Sequence, residues 1–340
     1  MTGAVSEAAI PKITGSTRLA GIDLFRFLAF VAVLIIHTVS QTEGVININS
    51  LAQHASRFAV PFYFIVSGYF FCRFSGPAFE GIKKVIFRIM PVYFFWLLIY
   101  LVFFPKGWPW FTGIHRIAEF LVGGGSIGYH LWFLPTLASS LVVYLILRPL
   151  GFKVMFAVAA ILFAVGLMFG PYREMLGLPS LRIKGFHWYT RNGPFFSFLF
   201  VVAGAYIATY KARIGLGAAA GLAILGLGLQ ILESYLLWRF AEGTFLSTDF
   251  TVGTALFGVG IFFIALRWPE RLTHPWLLHM GRLNLWMYCI HMAFIHILRL
   301  WFDIYVPAQM AMVFGGALAL TIASAYLAER WRFIPRSMIY

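Results

Sequence analysis

The chain has 340 residues, of which 61% are hydrophobic, 19% aromatic and only 11% charged, with a mean hydropathy of +0.84. That is too apolar for a soluble domain of this length and points to a polytopic membrane protein. The formal charge of +14 would suggest nucleic acid in a soluble protein, but here the basic residues sit mainly in short connections between apolar runs, where they orient the chain and meet anionic lipid headgroups, so no nucleic-acid partner is expected.

The polar N-terminal tail, residues 1–20, is followed by no small-residue cleavage site, and a cleaved signal peptide is not expected. Apolar runs long enough to span as helices fall at 21–41, 58–74, 86–104, 130–147, 153–169, 194–210, 214–237, 251–266, 283–300 and 306–327. None alternates with period two as barrel strands must. The expected fold is therefore all-α, with about ten transmembrane helices over 21–327 and a basic C-terminal tail at 328–340.

Placing the N-terminus inside puts 16 of the 26 Lys and Arg residues at the cytoplasmic face and nine at the other, with Arg26 within the membrane. This bias predicts both termini in the cytoplasm. The longer connections, 42–57, 105–129, 170–193 and 238–250, then lie outside, and a site open to the outer face is expected among them. Cys72 and Cys289 have no metal-ligand spacing and read as free thiols packed among helices.

The first span carries the most informative polar residues, Asp23, Arg26 and His37, in RLAGIDLFRFLAFVAVLIIH (18–37). A charge near the centre of a spanning helix costs roughly 2.5–3.5 kcal/mol and needs a partner or water inside the protein. Arg26 and His37 are three turns apart, so they share a face at a separation of roughly 16 Å along the axis. Asp23, one turn before Arg26, can pair with it. The three residues read either as an ion pair with a headgroup-level histidine or as a functional stripe.

Other positions carry the same two-sided reading. Ser67 and Gly68 serve close helix contact or form a small pocket wall. His130 and Trp132 follow a GGGSIG turn and belong to an aromatic belt or to a substrate-facing loop. Arg116 and Glu119 are a surface i,i+3 pair or an acceptor-binding cation and carboxylate. Arg191 and Asn192 precede the sixth span as a headgroup anchor or a ligand contact. His291, beside Tyr288, Cys289 and Met292, is a core or a reactive histidine; His54 and His296 have no supporting pattern. No metal site is expected, because His291 and His296 do not share the i,i+4 face of helical zinc ligands. Phosphate-loop, dinucleotide and serine-elbow motifs are also missing, so the chemistry falls to His and Arg.

Five stretches in order complete the pattern: R-x(4)-D-x-x-R-x(10)-H at Arg18, Asp23, Arg26 and His37; FAVPFYFIVSGYFF at 58–71; YHLWFLPTL at 129–137; RNGPFF at 191–196; and NLWMYCIHMAF at 284–294. As a set they resemble the acyltransferase-3 family of integral membrane O-acyltransferases. The resemblance implies a bacterial inner-membrane enzyme that transfers an acyl group, most commonly acetyl, from acyl-CoA to a carbohydrate such as a lipid-linked glycan. No permanently bound cofactor is expected; acyl-CoA, acetyl-CoA in the commonest case, is the donor substrate.

Acyl transfer from a thioester needs a base for the acceptor hydroxyl, a group for the developing oxyanion and exclusion of water. His37 is the expected base, since imidazole is largely neutral at physiological pH. Arg26, held by Asp23, is expected on the donor side, with Arg18, Lys83 and Lys84 facing coenzyme A phosphates or lipid. Arg116, Glu119, His130, Trp132, Arg191, Asn192 and His291 form the expected acceptor set. The competing class is a secondary transporter of an anionic solute, which would also carry intramembrane charges.

Overall fold

The computed structural model describes residues 19–39, 46–103, 128–180, 182–183, 186–187, 189–241, 245, 249–331 and 334–339. Arg18, Arg116 and Glu119 lie outside the described residues.

The described chain is built from helices, as an apolar surround demands: only hydrogen bonds closed within each segment can satisfy the backbone there. In chain order they are α1 (Ala20–Thr38), α2 (Ile48–Ser56), α3 (Ala59–Phe71), α4 (Ala78–Phe103), α5 (Phe133–Leu147), α6 (Gly151–Phe169), α7 (Pro194–Tyr210), α8 (Leu216–Phe240), α9 (Val252–Arg267), α10 (Pro275–Arg282), α11 (Asn284–Leu298), α12 (Pro307–Arg330) and α13 (Arg336–Ile339). A 3-10 turn, Tyr129–Trp132, leads into α5. The exception to helix is a pair of two-residue antiparallel strands, β1 (Arg182–Ile183) and β2 (Phe186–His187).

Among the described residues, five helical stretches are long and apolar enough to cross a membrane: Ala20–Thr38, Ala78–Phe103, Tyr129–Phe169, Leu216–Phe240 and Pro307–Arg330. Three shorter apolar helices, α7, α9 and α11, accompany them. Apolar side chains point outward as lipid-facing surfaces do: Leu98 is 58% exposed, Ile161 64% and Leu225 61%.

Local signals explain the boundaries. Asn47 caps α2 and Thr251 caps α9, each in a reciprocal capping box with the residue three positions on. Pro opens α7, α10 and α12 at the first turn, where its missing N–H costs nothing. Two expected connections prove to be helical. The stretch 42–57 contains α2, and the basic link 75–85 is taken up from Ala78 by α4, so Lys83 and Lys84 sit on a helix rather than in a loop.

The organising element is α1. Two thirds of its span (67%) is buried, against 22–33% for the other four candidate spans. It packs against α2, α3, α9, α10, α11 and α12. One face contributes Ile22, Phe25, Ala29 and Val33 to a core shared with α3, α5, α6, α7 and α9. The other contributes Phe27, Phe30 and Leu34 to a core shared with α4, α10, α11 and α12. Among its polar residues Asp23 and Thr38 are buried, while Arg26 and His37 are partly buried.

Within the first core, Gly68 of α3 lies against the Val201 backbone of α7, where an added Cβ would collide with the Val201 carbonyl. Ser67 donates to its own helix at the Tyr63 carbonyl, 2.7 Å away. Close helix contact thus accounts for Gly68, as small residues permit in membranes.

Candidate active site

The first polar group lies at the N-terminal end of α1. Arg26 Nη1 donates to Asp23 Oδ1 at 3.0 Å, the i,i+3 pairing the sequence predicts. The Arg26 side chain is 28% exposed and its guanidinium lies 5.2 Å from the Phe70 ring centroid; Arg73 approaches the same ring at 5.3 Å. The Tyr63 hydroxyl lies 2.8 Å from the Arg26 carbonyl and 2.8 Å from Asn284 Oδ1, its single proton serving one of the two, and so brings α1, α3 and α11 together. Gly281 of α10 lies so close to α1 that any Cβ there would strike the Asp23 carbonyl. This end is held on several sides, and part of Arg26 remains open.

Lys83 and Lys84 do not join this group through any described contact. Both are exposed on α4, where Lys83 pairs with Glu80 at 3.5 Å and Lys84 lies 5.4 Å from the Phe74 ring centroid. These contacts fit a headgroup-facing role at least as well as a donor site.

The second polar group lies at the C-terminal end of α1 and unites three histidines far apart in sequence. The His37 ring centroid is 5.5 Å from that of His291, which is 5.2 Å from that of His130. The Tyr129 hydroxyl lies 3.3 Å from His37 Nδ1, its ring edge-on to the imidazole at 5.6 Å. His130 and His291 are 2% and 0% exposed, while His37 is only partly buried. Only His37 of the three can therefore meet a substrate without rearrangement of the core.

Hydrogen bonds assign the protons of the two buried rings. His130 Nε2 faces the Cys289 carbonyl at 3.2 Å, and His291 Nδ1 faces the Tyr288 carbonyl at 2.6 Å. A carbonyl only accepts, so each of those nitrogens carries the hydrogen. The opposite nitrogens, His130 Nδ1 and His291 Nε2, are buried without a hydrogen-bond partner. A buried polar atom left in this state costs free energy that a bound hydroxyl or water would recover.

The frame around them is tightly tied. Tyr288 donates its hydroxyl to the His130 carbonyl, and Tyr100 donates to the Cys289 carbonyl at 2.8 Å. The Tyr100 hydroxyl also accepts from the Ala293 N–H at 3.1 Å. These bonds fasten the 3-10 turn and α4 to α11. The sequence anticipates His130 either in an aromatic belt or on a substrate-facing loop; it is 2% exposed and lies in the 3-10 turn before α5.

Arg191 and Trp132 form a third group. Arg191 Nη1 donates to Asp249 at 3.1 and 3.3 Å, and its guanidinium lies 5.5 Å from the Trp132 ring centroid and 5.3 Å from that of Tyr189. Asn192 is buried in the turn before α7, where its N–H donates to the Tyr189 carbonyl at 2.9 Å and its side-chain oxygen has no partner. The neighbouring Gly193 N–H donates to Thr136 Oγ1 at 3.0 Å, which pins this turn to α5.

Two titratable residues are structural. His54 is fully buried and accepts at Nδ1 from Gln230 Nε2, 3.3 Å away. Burial, then the charge of Arg57, pushes its pKa down to about 4. Glu233 of α8 accepts from the Tyr172 hydroxyl at 2.5 Å and from the Gly253 N–H, in the first turn of α9, at 2.8 Å. A helix N-terminus is a good place for a carboxylate. Burial and Glu233 together raise the Tyr172 pKa.

Sequence reasoning did not find Tyr129, Tyr288, Tyr100 or Met292 as part of the site. Tyr129 lies in the YHLWFLPTL stretch beside His130, and Tyr288 and Met292 in NLWMYCIHMAF around His291, while Tyr100 has no local signal. Among the described residues no group of three or more His, Cys, Asp or Glu is arranged to hold a metal ion.

Comparison with known proteins adds identity to this geometry. A serine/alanine racemase of Enterococcus gallinarum is 30% identical over 292 residues, covering 80% of this chain and 40% of that protein. An amino-acid racemase of Enterococcus faecalis is 31% identical over 207 residues, covering 56% of this chain and 29% of that protein. The chain thus spans less than half the length of these relatives, and no solved structure matches it. The family model described as "Acyltransferase domain" matches residues 19–330, which take in α1 and all three polar groups around it; the chain belongs to the acyltransferase-3 family.

Proposed function

We propose that the protein is an O-acyltransferase that takes an acyl group, acetyl in the commonest case, from cytoplasmic acyl-CoA and transfers it to a hydroxyl of an extracytoplasmic glycan or lipid-linked saccharide. In this reading the chain crosses a bacterial inner membrane about ten times with both termini in the cytoplasm, as its basic residues favour. The observation that carries the proposal is the placement of His37 at the open side of a three-imidazole cluster, on the same central helix as the partly exposed Arg26.

Arg26, kept in place by Asp23, is the donor-side cation, and its planar fork suits phosphate. His37 is the general base. It takes the proton of the acceptor hydroxyl as the oxygen attacks the thioester carbonyl. The new C–O bond forms, the C–S bond breaks, and the departing thiolate of coenzyme A receives the proton from the His37 imidazolium. The Arg191, Trp132 and Asn192 group supplies a cation, an aromatic face and a buried amide oxygen for the acceptor.

The test is transfer of labelled acetyl from acetyl-CoA to saccharide acceptors by the purified protein in liposomes. His37→Ala should lower the rate about 10²–10⁴-fold, the range general base catalysis contributes. Full activity in that variant would remove His37 from the chemistry.

The racemase relatives favour a second reading, in which this membrane portion carries an amino acid or another small anionic solute. Counterflow of labelled serine or alanine in the same liposomes, without acyl transfer to any acceptor, would establish that reading instead.

A further inference from the structure

We propose that Tyr129 and Met292 are positioning residues that fix the tautomer of His37, placing its proton on Nδ1 and leaving Nε2 as the bare nitrogen. The proposal rests on the reading of His37 as the base.

The Tyr129 hydroxyl stands between two partners, His37 Nδ1 at 3.3 Å and Met292 Sδ at 3.8 Å. A phenol has one proton to give, and a thioether can only accept. Both contacts are hydrogen bonds in one arrangement alone. The Tyr129 O–H points to sulfur, and its oxygen accepts from a protonated Nδ1 of His37. The reverse arrangement, with Tyr129 donating to Nδ1, leaves the sulfur without a donor and moves the His37 proton to Nε2, where it would block attack on the acceptor proton.

The surroundings preserve this order. Met292 is 1% exposed, so the sulfur has no access to solvent as an alternative donor. Tyr129 and Met292 belong to the 3-10 turn and α11, which the Tyr288 hydroxyl to His130 carbonyl bond and the His130 to Cys289 carbonyl bond hold together. The edge-on packing of the Tyr129 ring, at 70° to the imidazole, fixes the ring plane of His37 as well as its proton. The same bond serves the charged state: when Nε2 takes the acceptor proton, Nδ1–H still donates to the Tyr129 oxygen. The arrangement is an uncharged counterpart of the carboxylate that selects the histidine tautomer in serine hydrolases.

Nitrogen NMR of histidine-labelled protein in lipid nanodiscs reads the tautomer directly, with the His37 signals identified by their loss in His37→Gln. The wild type should show a protonated Nδ1 and an unprotonated Nε2. In Tyr129→Phe the His37 proton should move toward Nε2, and kcat should fall about 10- to 100-fold, as for other partners that orient a reacting group, with donor KM unchanged. Met292→Leu, which keeps the volume but removes the acceptor, should shift the tautomer in the same direction by less. A wild-type His37 protonated at Nε2 would overturn the proposal, as would a Tyr129→Phe protein with unchanged tautomer and kcat. Retained activity in His37→Ala would instead strike at the base assignment, whatever the tautomer.

Discussion

The two ends of α1 carry polar groups of similar intramembrane cost but opposite degrees of satisfaction. At the N-terminal end, the Arg26 guanidinium is met by a carboxylate, the Arg26 carbonyl by a tyrosine hydroxyl, and α1 itself by the close backbone of Gly281. At the C-terminal end, His37 meets one phenol beside two buried imidazoles whose second nitrogens have no partner. Satisfied groups hold a helix in place; unsatisfied groups in a rigid frame are poised for something that is not part of the chain. In the proposed function, one end serves anchoring and donor contact and the other the chemistry.

The sharpest way to break the contrast is at the anchor. Gly281→Val places a branched side chain against the Asp23 carbonyl, where the backbone of α1 has no room to yield. Overpacking of this kind costs about 1–3 kcal/mol or more, so the detergent-solubilised protein should lose heat resistance, measured by thermal precipitation. Tyr129→Phe at the other end should leave heat resistance nearly unchanged. Equal losses from the two would erase the distinction.

A smaller effect is expected at Arg26 itself. Arg26→Gln removes the charge while keeping hydrogen-bonding capacity, and a charge-assisted bond contributes about 1.5–3 kcal/mol. Donor KM should rise about tenfold to a hundredfold, while acceptor KM stays within a few-fold of wild type. A rise confined to the acceptor would reverse the two ends.

The smallest effect concerns His54, which belongs to neither end. Its folded-state pKa of about 4 lies below the unfolded value near 6.5, so between those values the unfolded chain binds the extra proton and the folded chain does not. Stability should fall as pH drops from about 6.5 to 4, and His54→Gln should flatten that slope without altering the pH dependence of acyl transfer measured above pH 6.5 in the liposome assay. Thermal denaturation across this range is the measurement. A change in the transfer profile would draw His54 into the site.

Much of the architecture was legible from residue order. Continuous apolar runs in a 340-residue chain leave helix as the reasonable solution, and the three-residue spacing of Asp23 and Arg26 predicts the bond found at 3.0 Å. Other features were not legible. The 42–57 connection reads as a polar loop, but Asn47 and Ser50 start a helix there whose His54 is buried against Gln230, 176 residues away. Nor does any local signal place Tyr129 beside His37, 92 positions earlier, or His291 beside both. The helix that carries Lys83 and Lys84 was not legible either, because a short basic link between apolar runs reads as a connection.

Composition and periodicity by themselves determined the membrane setting, the helical class and the axial positions of Arg26 and His37, because lipid permits few backbone solutions and an α-helix fixes rise and turn per residue. Tertiary structure alone decided which charges are satisfied, which nitrogens stay bare and which hydroxyl orients His37. Those outcomes depend on contacts between helices distant in the chain, and pairing across such distances has no local period to reveal it.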